Sequence, residues 1–505
     1  MRRSSIITTT VTGAAVMAIL SARAGADGPR HDFGLFVADQ LRAHSEELFG
    51  FHHPLDESAR GPYDGADNTK AIVVADGLHV SLVSSSVASA ADQIALWPDD
   101  DNPTHVFVCD EETSNPAVQR VDLSRPAGSN ATTIVTGLLS CDPVRRTPWG
   151  TIIVAEEHGA DGGLYEILDP LAISTPIAVT DRASGTTSDP AHLVKRKAVG
   201  ALSFESFAIR HDGTTLYGDE LAPSGGAAGG AIYKFVPMFP YTGTGVPHVT
   251  NPSLSPLASG SIFGLRVAAA NGSSNWGQGA EVGKGNWVAV TTAPDANGNI
   301  NLRAAQTALK FTGFYRPEDM DIDPIAAENG VFRACWANTG RLDFGGGTAV
   351  ENSGVNGEVM CIVEEPSLTA TTGSVPVVTR FVIGSQQAGM FDNVAFQPHT
   401  GNLVVLEDGP TGIKTASGAT EPRGNDLWIC LPDGDDDDTL TDGCVRFASI
   451  KDTSAEPTGF IFFGSGESAL LSIQHRAVND AAGSGNHGAL VKISGFKIHR
   501  HGDHD

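Results

Sequence analysis

Ile152-Ile153-Val154-Ala155-Glu156-Glu157 is a short apolar strand that ends in two acids, and the pattern decides the fold because it recurs. The chain contains six copies of one unit, and the quoted stretch belongs to the second. Each copy has an apolar strand, a turn, and a second strand that ends in acids or their substitutes. The second strands end at residues 109–112, 155–157, 218–220, 337–339, 406–409 and 473–475. Repeated β-units of this size are typical of propeller blades. The sequence therefore predicts an all-β fold, a six-bladed β-propeller.

The first strand of each copy also carries a residue of special chemistry. These residues are Asp92, Cys141, Glu205, Glu318, Asp392 and Glu456. Equivalent positions in successive blades face the same channel, so two tiers of carboxylates and one thiol should converge on a common axis. Desolvated like charges within a few ångströms repel strongly unless cations neutralise them, which predicts a centre of several metal ions. Cys141 stands where other copies have Glu or Asp, which favours a metal-bound thiolate.

The length of 505 residues suits one propeller with insertions. We predict an export signal peptide at residues 1–26, a single β-propeller domain at 27–498 and a disordered His/Asp tail at 499–505. The signal consists of Arg2-Arg3, an apolar run and small residues. Both a twin-arginine signal and an ordinary export signal stay open. The run is too short to span a membrane, and no later apolar segment is long enough. A periplasmic or secreted protein is expected.

The formal net charge of −26 argues against a nucleic-acid partner, because phosphate binders normally show a basic patch. A saline or extracellular habitat is an ordinary explanation for such acidity. We expect a monomer that acts on small molecules and has no membrane span.

Six cysteines are few for this length, and an exported chain can pair them. Cys430 and Cys444 bracket an acidic loop between two strand-like runs. Cys335 and Cys361 lie on probable neighbouring strands of one blade. Both pairs are predicted disulfides, while Cys109 is interpreted as an inert core residue.

A longer string gives the most specific signal in the chain. It runs Thr147-Pro148-Trp149-Gly150-Thr151 and continues through the strand to Glu156-Glu157, with Cys141 upstream. This combination resembles the PhoX-type alkaline phosphatases. Further motifs in family order are Ser203-Phe204-Glu205, Tyr217-Gly218-Asp219-Glu220, Arg316-Pro317-Glu318-Asp319, Phe391-Asp392-Asn393, Gly401-Asn402-Leu403 with Glu407-Asp408-Gly409, Glu456-Pro457-Thr458-Gly459 and Ile473-Gln474-His475. The resemblance runs from about Pro54 to Phe496.

The resemblance implies a propeller that holds iron and calcium at one end of its channel and hydrolyses phosphate esters at alkaline pH. Cys141 looks like the thiolate ligand of ferric iron, since soft sulfur suits a transition metal and hard carboxylate oxygens suit calcium. The implied chief carboxylate ligands are Glu156, Glu205, Glu318 and Glu456. Further ligands or supports are Glu157, Asp219, Glu220, Asp392, Glu407 and Asp408. Their division between iron and calcium is left open.

Three residues are candidates for direct action on the substrate. Arg316 lies two residues before Glu318, so its guanidinium can face the same pocket and bind phosphate oxygens in a bidentate way. A salt bridge to a neighbouring blade is the alternative for Arg316. Trp149 either offers its indole N–H to the phosphate or packs in the core. His475 either ligates a metal or protonates a leaving group, or it only lines the channel.

The chain departs from the family pattern in places. Asp142-Pro143-Val144-Arg145-Arg146 replaces the glycine-rich link often found before Thr147, which can shift the spacing to the metal. The fourth copy ends in Asn338-Thr339 rather than acids. The leading hypothesis is an exported metal-dependent phosphatase of phosphate monoesters, with diesters as further substrates. The alternatives are a calcium-dependent lactonase-like hydrolase and a non-catalytic calcium-binding propeller.

Overall fold

The computed structural model describes residues 35–498, apart from 62, 64, 66, 113–114, 224–228, 244–248, 268–281, 341–355, 367–371, 386–387, 410–422, 435–437, 454 and 475–487. The predicted export signal, the predicted tail and His475 lie outside the described residues. The described part is built almost wholly of strands, as the sequence predicts. Four short helices are present in it: α1 Leu35–Ala43, α2 Ser45–Phe49, α3 Leu302–Leu309 and α4 Pro324–Glu328.

The described residues form twenty-eight strands. The first fourteen are β1 Ile72–Val74, β2 His79–Ser84, β3 Ala91–Trp97, β4 His105–Asp110, β5 Val118–Asp122, β6 Ala131–Thr136, β7 Cys141–Arg146, β8 Ile152–Glu156, β9 Leu164–Ile167, β10 Ile177–Asp181, β11 Thr186–Thr187, β12 Leu193–Lys195, β13 Phe204–Ile209 and β14 Thr215–Asp219. The rest are β15 Ile232–Pro237, β16 Gly260–Val267, β17 Gly283–Ala289, β18 Pro317–Ile322, β19 Arg333–Asn338, β20 Glu358–Pro366, β21 Ser374–Ile383, β22 Phe391–Phe396, β23 Leu403–Glu407, β24 Asp426–Cys430, β25 Cys444–Ile450, β26 Glu456–Phe463, β27 Ser468–Gln474 and β28 Ala489–Ser494.

These strands make five sheets. Their orders are β11-β10-β6-β5-β4-β3, β12-β9-β8-β7, β13-β14-β15-β16-β17-β21-β20-β19-β18, β1-β25-β24-β23-β22 and β2-β28-β27-β26. All pairings except β6 with β10 are antiparallel, and most join strands consecutive in the chain, which short turns can connect. The nine-stranded sheet contains two meanders, β13 to β17 and β18 to β21, joined where β17 pairs with β21.

Six strands stand at the inner sheet edges and contact one another in a closed ring. In order, these are β3, β7, β13, β18, β22 and β26, and β26 again packs beside β3. We call them the inner strands. Every inner strand is the first strand of its meander. Residues near the starts of all six line one cavity, so the strands begin at the same end of the ring. Residues at equivalent positions near their starts are therefore brought together around one axis.

The apolar core lies between neighbouring sheets. Phe107 and Val118 of one sheet pack with Val154 and Tyr165 of the next, and all four side chains are buried. The middle strands are buried on both faces, as in β8, where all five residues are inside. Such strands read as continuous apolar runs rather than as strict alternation. The strand ends, where the acids stand, are thereby fixed by a rigid scaffold.

Two predicted disulfides are confirmed. Cys335 and Cys361 are directly opposite each other on β19 and β20, and they are bonded. Cys430 and Cys444 are likewise opposite and bonded on β24 and β25. Across the described residues, no helix has the length and apolar character needed to cross a membrane.

Candidate metal centre

Each inner strand contributes one carboxylate at its beginning. In five strands the acid is the second residue and in β26 it is the first. The six are Asp92, Asp142, Glu205, Glu318, Asp392 and Glu456. A second tier comes from the ends of the neighbouring strands, with Glu111, Glu157 and Asp408. The two tiers that the repeat predicts are therefore present.

These nine carboxylates and Arg316 line one cavity of about 260 Å³. Ligand atoms lie within 4.8 Å of one another in three groups that share members around the ring. The groups are Asp142, Glu157 and Glu205; Glu205, Glu318 and Asp392; and Asp392, Asp408 and Glu456. Several anionic oxygens at such spacing are the donor set that hard cations such as calcium prefer.

Burial and mutual repulsion dominate the electrostatics of this cavity. Burial, reinforced by neighbouring carboxylates, holds the pKa values of Asp142, Glu205 and Glu456 well above the usual range. Burial next to Glu220 and Glu111 raises the pKa of Glu157 to about 10. Without cations the cluster must retain protons at neutral pH, because the carboxylates cannot all ionise together. A positively charged occupant would remove this penalty.

Arg316 is the one basic side chain that lines the cavity among the described residues. Its Nε donates to Oε1 of Glu220 and lies 3.3 Å from Oε1 of Glu318. The nearby carboxylate of Glu318 raises the arginine pKa further. Its backbone has a φ of 55°, which is uncommon for a residue other than glycine and often marks functional positions. The sequence left a salt bridge or a cavity-facing role open, and the structure contains both.

Two further polar side chains organise the carboxylates. Nε2 of Gln474 donates to Oδ2 of Asp92 at 2.8 Å and to Oε2 of Glu456 at 3.0 Å, which joins the last inner strand to the first. The hydroxyl of Thr339 donates to Glu318. The fourth copy, which ends in neutral residues, thus supports an acid instead of adding one.

One to three residues beyond these acids along the inner strands, a layer of hydrogen bonds connects neighbouring sheets. Nη1 of Arg145 donates to Oε1 of Gln93 at 2.8 Å, and its Nη2 pairs with Asp319. The hydroxyl of Ser206 donates to Oδ1 of Asp319 at 2.6 Å. This layer fixes the spacing of the strands that carry the acids.

Three predicted ligands belong to a different environment. Glu156, Asp219 and Glu407 are almost fully buried, and none of them lines the cavity. Glu156 accepts hydrogen bonds from the N–H groups of Leu139 and Gly163, both at 3.0 Å, and pairs with Arg182. In the structure the oxygens of Glu156, which the sequence predicts as a chief ligand, anchor the loops that carry Leu139, Gly163 and Arg182.

The other two are anchored in the same manner. Arg303 pairs with Asp219 at 2.8 Å, and Arg423 pairs with Oε2 of Glu407 at 2.9 Å. Trp428 also donates its indole N–H to Glu407 at 3.1 Å. Asp219 and Glu407 thus fit the supporting role that the sequence left open. Glu220 supports the site through Arg316.

Cys141, the predicted thiolate ligand, does not line the cavity in the structure. Cys141 is bonded to Cys109, with Cα atoms 5.1 Å apart, and both side chains are completely buried in the apolar core. Because successive side chains of a strand point to opposite faces, the neighbouring Asp142 faces the cavity instead. Asp142 is therefore the residue of β7 that lines the cavity.

Trp149 does not reach the cavity. It is fully buried, and its indole N–H donates to Oε1 of Glu166 at 2.7 Å. The hydroxyl of Thr151 donates to the same oxygen at 2.6 Å. Of the two roles that the sequence allowed, the structure shows packing, with the indole N–H directed to Glu166. Trp149 and Thr151 together hold the buried Glu166 carboxylate.

The ligands predicted from the sequence do not include Asp142, Glu111 and Asp92, which line the cavity. Asp92 was part of the repeat pattern, and Glu111 ends its strand as Glu157 does, so both signals were available. Asp142 was hidden by the adjacent cysteine. Aligning Cys141-Asp142 with Phe204-Glu205 and Phe391-Asp392 identifies the acid as the equivalent residue.

Comparisons with known proteins agree with this architecture. The family model described as alkaline phosphatase PhoX matches residues 185–477, more than half of the chain. The structure of Pseudomonas fluorescens PhoX in complex with vanadate is similar, with a TM-score of 0.60 and 15% identity, over 88% of this chain and 98% of that chain. This likeness shows a shared fold.

Other solved structures are much less similar. Aldose sugar dehydrogenase of Streptomyces coelicolor has a TM-score of 0.36 at 10% identity, over 83% of this chain and 98% of that chain. A Trichoderma reesei enzyme of family AA12 has a TM-score of 0.36 at 12% identity, over 84% of this chain and 98% of that chain. Both scores are too low to carry an argument. No curated protein matches the sequence significantly. On the extent of the family match, the chain belongs to the PhoX family of alkaline phosphatases.

Proposed function

We propose that this protein is an exported, metal-dependent phosphatase that hydrolyses phosphate monoesters and, as a second substrate class, diesters. The observation that carries the proposal is that nine carboxylates and Arg316 line one cavity. The carboxylates account for the cations, and the arginine accounts for an anionic substrate. Family membership supports the phosphate chemistry, and the vanadate complex of the Pseudomonas fluorescens relative supports a tetrahedral oxyanion as the ligand.

Calcium is the cation that the donors fit best. The cavity offers carboxylate oxygens from several strands, which matches the six to eight oxygen ligands that calcium takes. Oδ1 of Asp142 is buried without a hydrogen-bond partner among the described residues, so a cation would satisfy it. Iron, which the resemblance implies, would here be held by carboxylates, as in other carboxylate-bound iron centres.

Bound cations would clamp phosphate oxygens, lower the pKa of a bound water and stabilise the leaving oxygen. The chain's own contribution is to place these charges and to orient the ester. Among the described residues, the two Nη groups of Arg316 have no protein acceptor, since its hydrogen bond to protein uses Nε. They can bind two phosphate oxygens in parallel. Glu220 and Glu318 hold the guanidinium towards the cavity.

A proton must reach the departing alkoxide at the end of the reaction. His475 follows Gln474 directly, and Gln474 bridges two carboxylates of the ring. We retain His475, which lies outside the described residues, as the proposed proton donor. An imidazole can take a proton from water and pass it to the leaving oxygen.

We also propose that the fold has six blades and that the protein is an exported monomer. We count the two meanders of the nine-stranded sheet as two blades joined at their outer edges, which gives a six-bladed propeller. All six cysteines are paired, which is typical of proteins outside the cytoplasm. A signal at residues 1–26 would direct export to the periplasm or the medium. A single chain carries the whole cavity, so a monomer suffices.

The test is turnover of p-nitrophenyl phosphate by the purified mature protein at alkaline pH. Calcium is removed with a chelator and then restored, and bis-p-nitrophenyl phosphate and a γ-lactone are assayed in parallel. We expect monoester hydrolysis that chelation abolishes and calcium restores. Lactone hydrolysis without phosphatase activity would replace the proposal by a lactonase. Metal binding without any turnover would indicate a structural propeller.

A further inference from the structure

Adjacent residues at the start of β7 face opposite sides of the inner strand. In four other inner strands the first residue is apolar and does not line the cavity. The second residue of each is an acid that lines the cavity. Cys141 and Asp142 follow the same order. Cys141 packs with Val118 and Val144 in the apolar core, while Asp142 lies beside Glu157 and Glu205.

The sulfur at this position is already engaged. Cys141 is bonded to Cys109 of β4, and neither side chain is exposed. A disulfide sulfur is not a thiolate, and thiolates are the form of cysteine that binds metals. The only route by which Cys141 could enter the cavity would be reduction together with a change of face.

Asp142 has the properties of a ligand. It is 4% exposed, and its Oδ1 is buried without a hydrogen-bond partner among the described residues. Buried polar oxygens are nearly always paired, so an unpartnered one calls for an occupant. The ligand atoms of Asp142, Glu157 and Glu205 lie within 4.8 Å of one another. An ion between them would be held by three carboxylates.

We propose that Asp142, and not a cysteine, is the metal ligand of this inner strand. The described part of the centre is then held by oxygen donors alone, and the Cys109–Cys141 pair is a structural disulfide. Such a centre selects hard cations and has no sulfur-to-metal charge transfer. The inference rests on the proposed function only in assuming that the cavity binds metal ions.

The first experiment measures bound calcium per chain and the calcium-dependent rise in Tm. It compares the unaltered protein with Asp142→Asn, with the double variant Cys109→Ser/Cys141→Ser, and with Asp101→Asn, which alters an exposed acid. We expect Asp142→Asn to bind fewer calcium ions and to show a smaller rise in Tm. The double variant, although less stable, and Asp101→Asn should keep the normal calcium content.

A second measurement remains decisive even where a variant fails to fold. Cobalt(II) is added to the metal-free unaltered protein, and the near-ultraviolet spectrum is recorded. Peptide mapping without reduction identifies the partner of Cys141. We expect a Cys109–Cys141 peptide and no sulfur charge-transfer band. A free Cys141 together with such a band would overturn the inference, as would loss of calcium from the cysteine variant alone or no calcium binding at all. Calcium bound through Asp142 without phosphatase turnover would refute the proposed function and leave this inference intact.

Discussion

Arg316 and Glu220 form an ion pair beside the acidic cavity, in which Nε of the arginine donates to Oε1 of the glutamate. The pair uses one edge of the guanidinium and fixes its plane. The opposite edge keeps two amino groups for a ligand. Glu220 therefore orients the guanidinium of Arg316, which lines the cavity.

Replacing Arg316 by Ala should lower kcat/KM for p-nitrophenyl phosphate on the order of 100-fold, the effect of losing a main donor to an oxyanion. Arg316→Lys should recover little, because an ammonium lacks the parallel fork. Bound calcium should not fall in either variant. The matched control is Arg333→Lys, which alters an ion pair with Asp323 away from the cavity. Its activity should remain near normal, and an equal loss in Arg333→Lys would contradict the assignment.

Chelation should make stability fall as the pH rises. Burial raises the pKa of Glu157 from 4.5 to about 10, so between these values the folded chain binds more protons than the unfolded chain. By linkage, the free energy of unfolding then decreases with increasing pH across that window. The Tm of the chelated protein should be lower at about pH 9 than at about pH 5.5. Added calcium should remove this decrease.

Differential scanning fluorimetry across that range, with and without calcium, measures the effect. Glu157→Gln serves as the control, because it deletes one titrating group and should flatten the slope of the chelated protein. A Tm that stays constant or rises with pH after chelation would show that the carboxylates ionise without penalty.

Glu156 and Glu157 are sequence neighbours with opposite roles, which gives a matched pair of variants. Glu157→Gln should reduce the calcium content because this side chain lines the cavity. Glu156→Gln should leave calcium in place but destabilise the protein by about 1–3 kcal/mol, through weaker hydrogen bonds to a buried acceptor. Elemental analysis and denaturant unfolding separate the two outcomes. Loss of calcium in Glu156→Gln with no loss in Glu157→Gln would reverse the assignment.

Trp149→Phe should affect stability rather than catalysis. The variant removes the indole donor of Glu166 and should cost about 1–3 kcal/mol. The values of kcat and KM at a temperature well below the Tm should stay within a few-fold of normal. A large rise in KM for the phosphate ester, without a change in stability, would instead place the indole at the substrate.

The β-fold and part of the acidic cavity can be predicted from the sequence, because the strand pattern with its acids recurs along the chain. Equivalent positions in repeated strands have to meet at one axis, so Glu205, Glu318 and Asp392 were identifiable before any coordinates. The same logic fails where the register is uncertain. A shift of one residue moves a side chain to the other face of a strand, which is what separates Cys141 from Asp142.

The roles of paired acids are harder to predict for a different reason. Glu156 and Glu157 have the same chemistry and adjacent positions, and each can in principle serve the metal. What distinguishes them is Arg182, which arrives from a later loop to pair with Glu156. Arg423 likewise pairs with Glu407, whereas the neighbouring Asp408 lines the cavity. Such partners have no fixed spacing in the sequence, so only the folded chain reveals them.

The N-terminal strands are completed by the last part of the chain. β1 pairs with β25, and β2 pairs with β28 at the far end of the described residues. A growing polypeptide therefore holds its first strands without partners until its final strands have been made. The acids from Asp92 to Glu456 cannot encircle a cation before that moment. The closed ring of carboxylates thus requires a chain that reaches its last strands, and a chain cut short carries an open row of carboxylates instead.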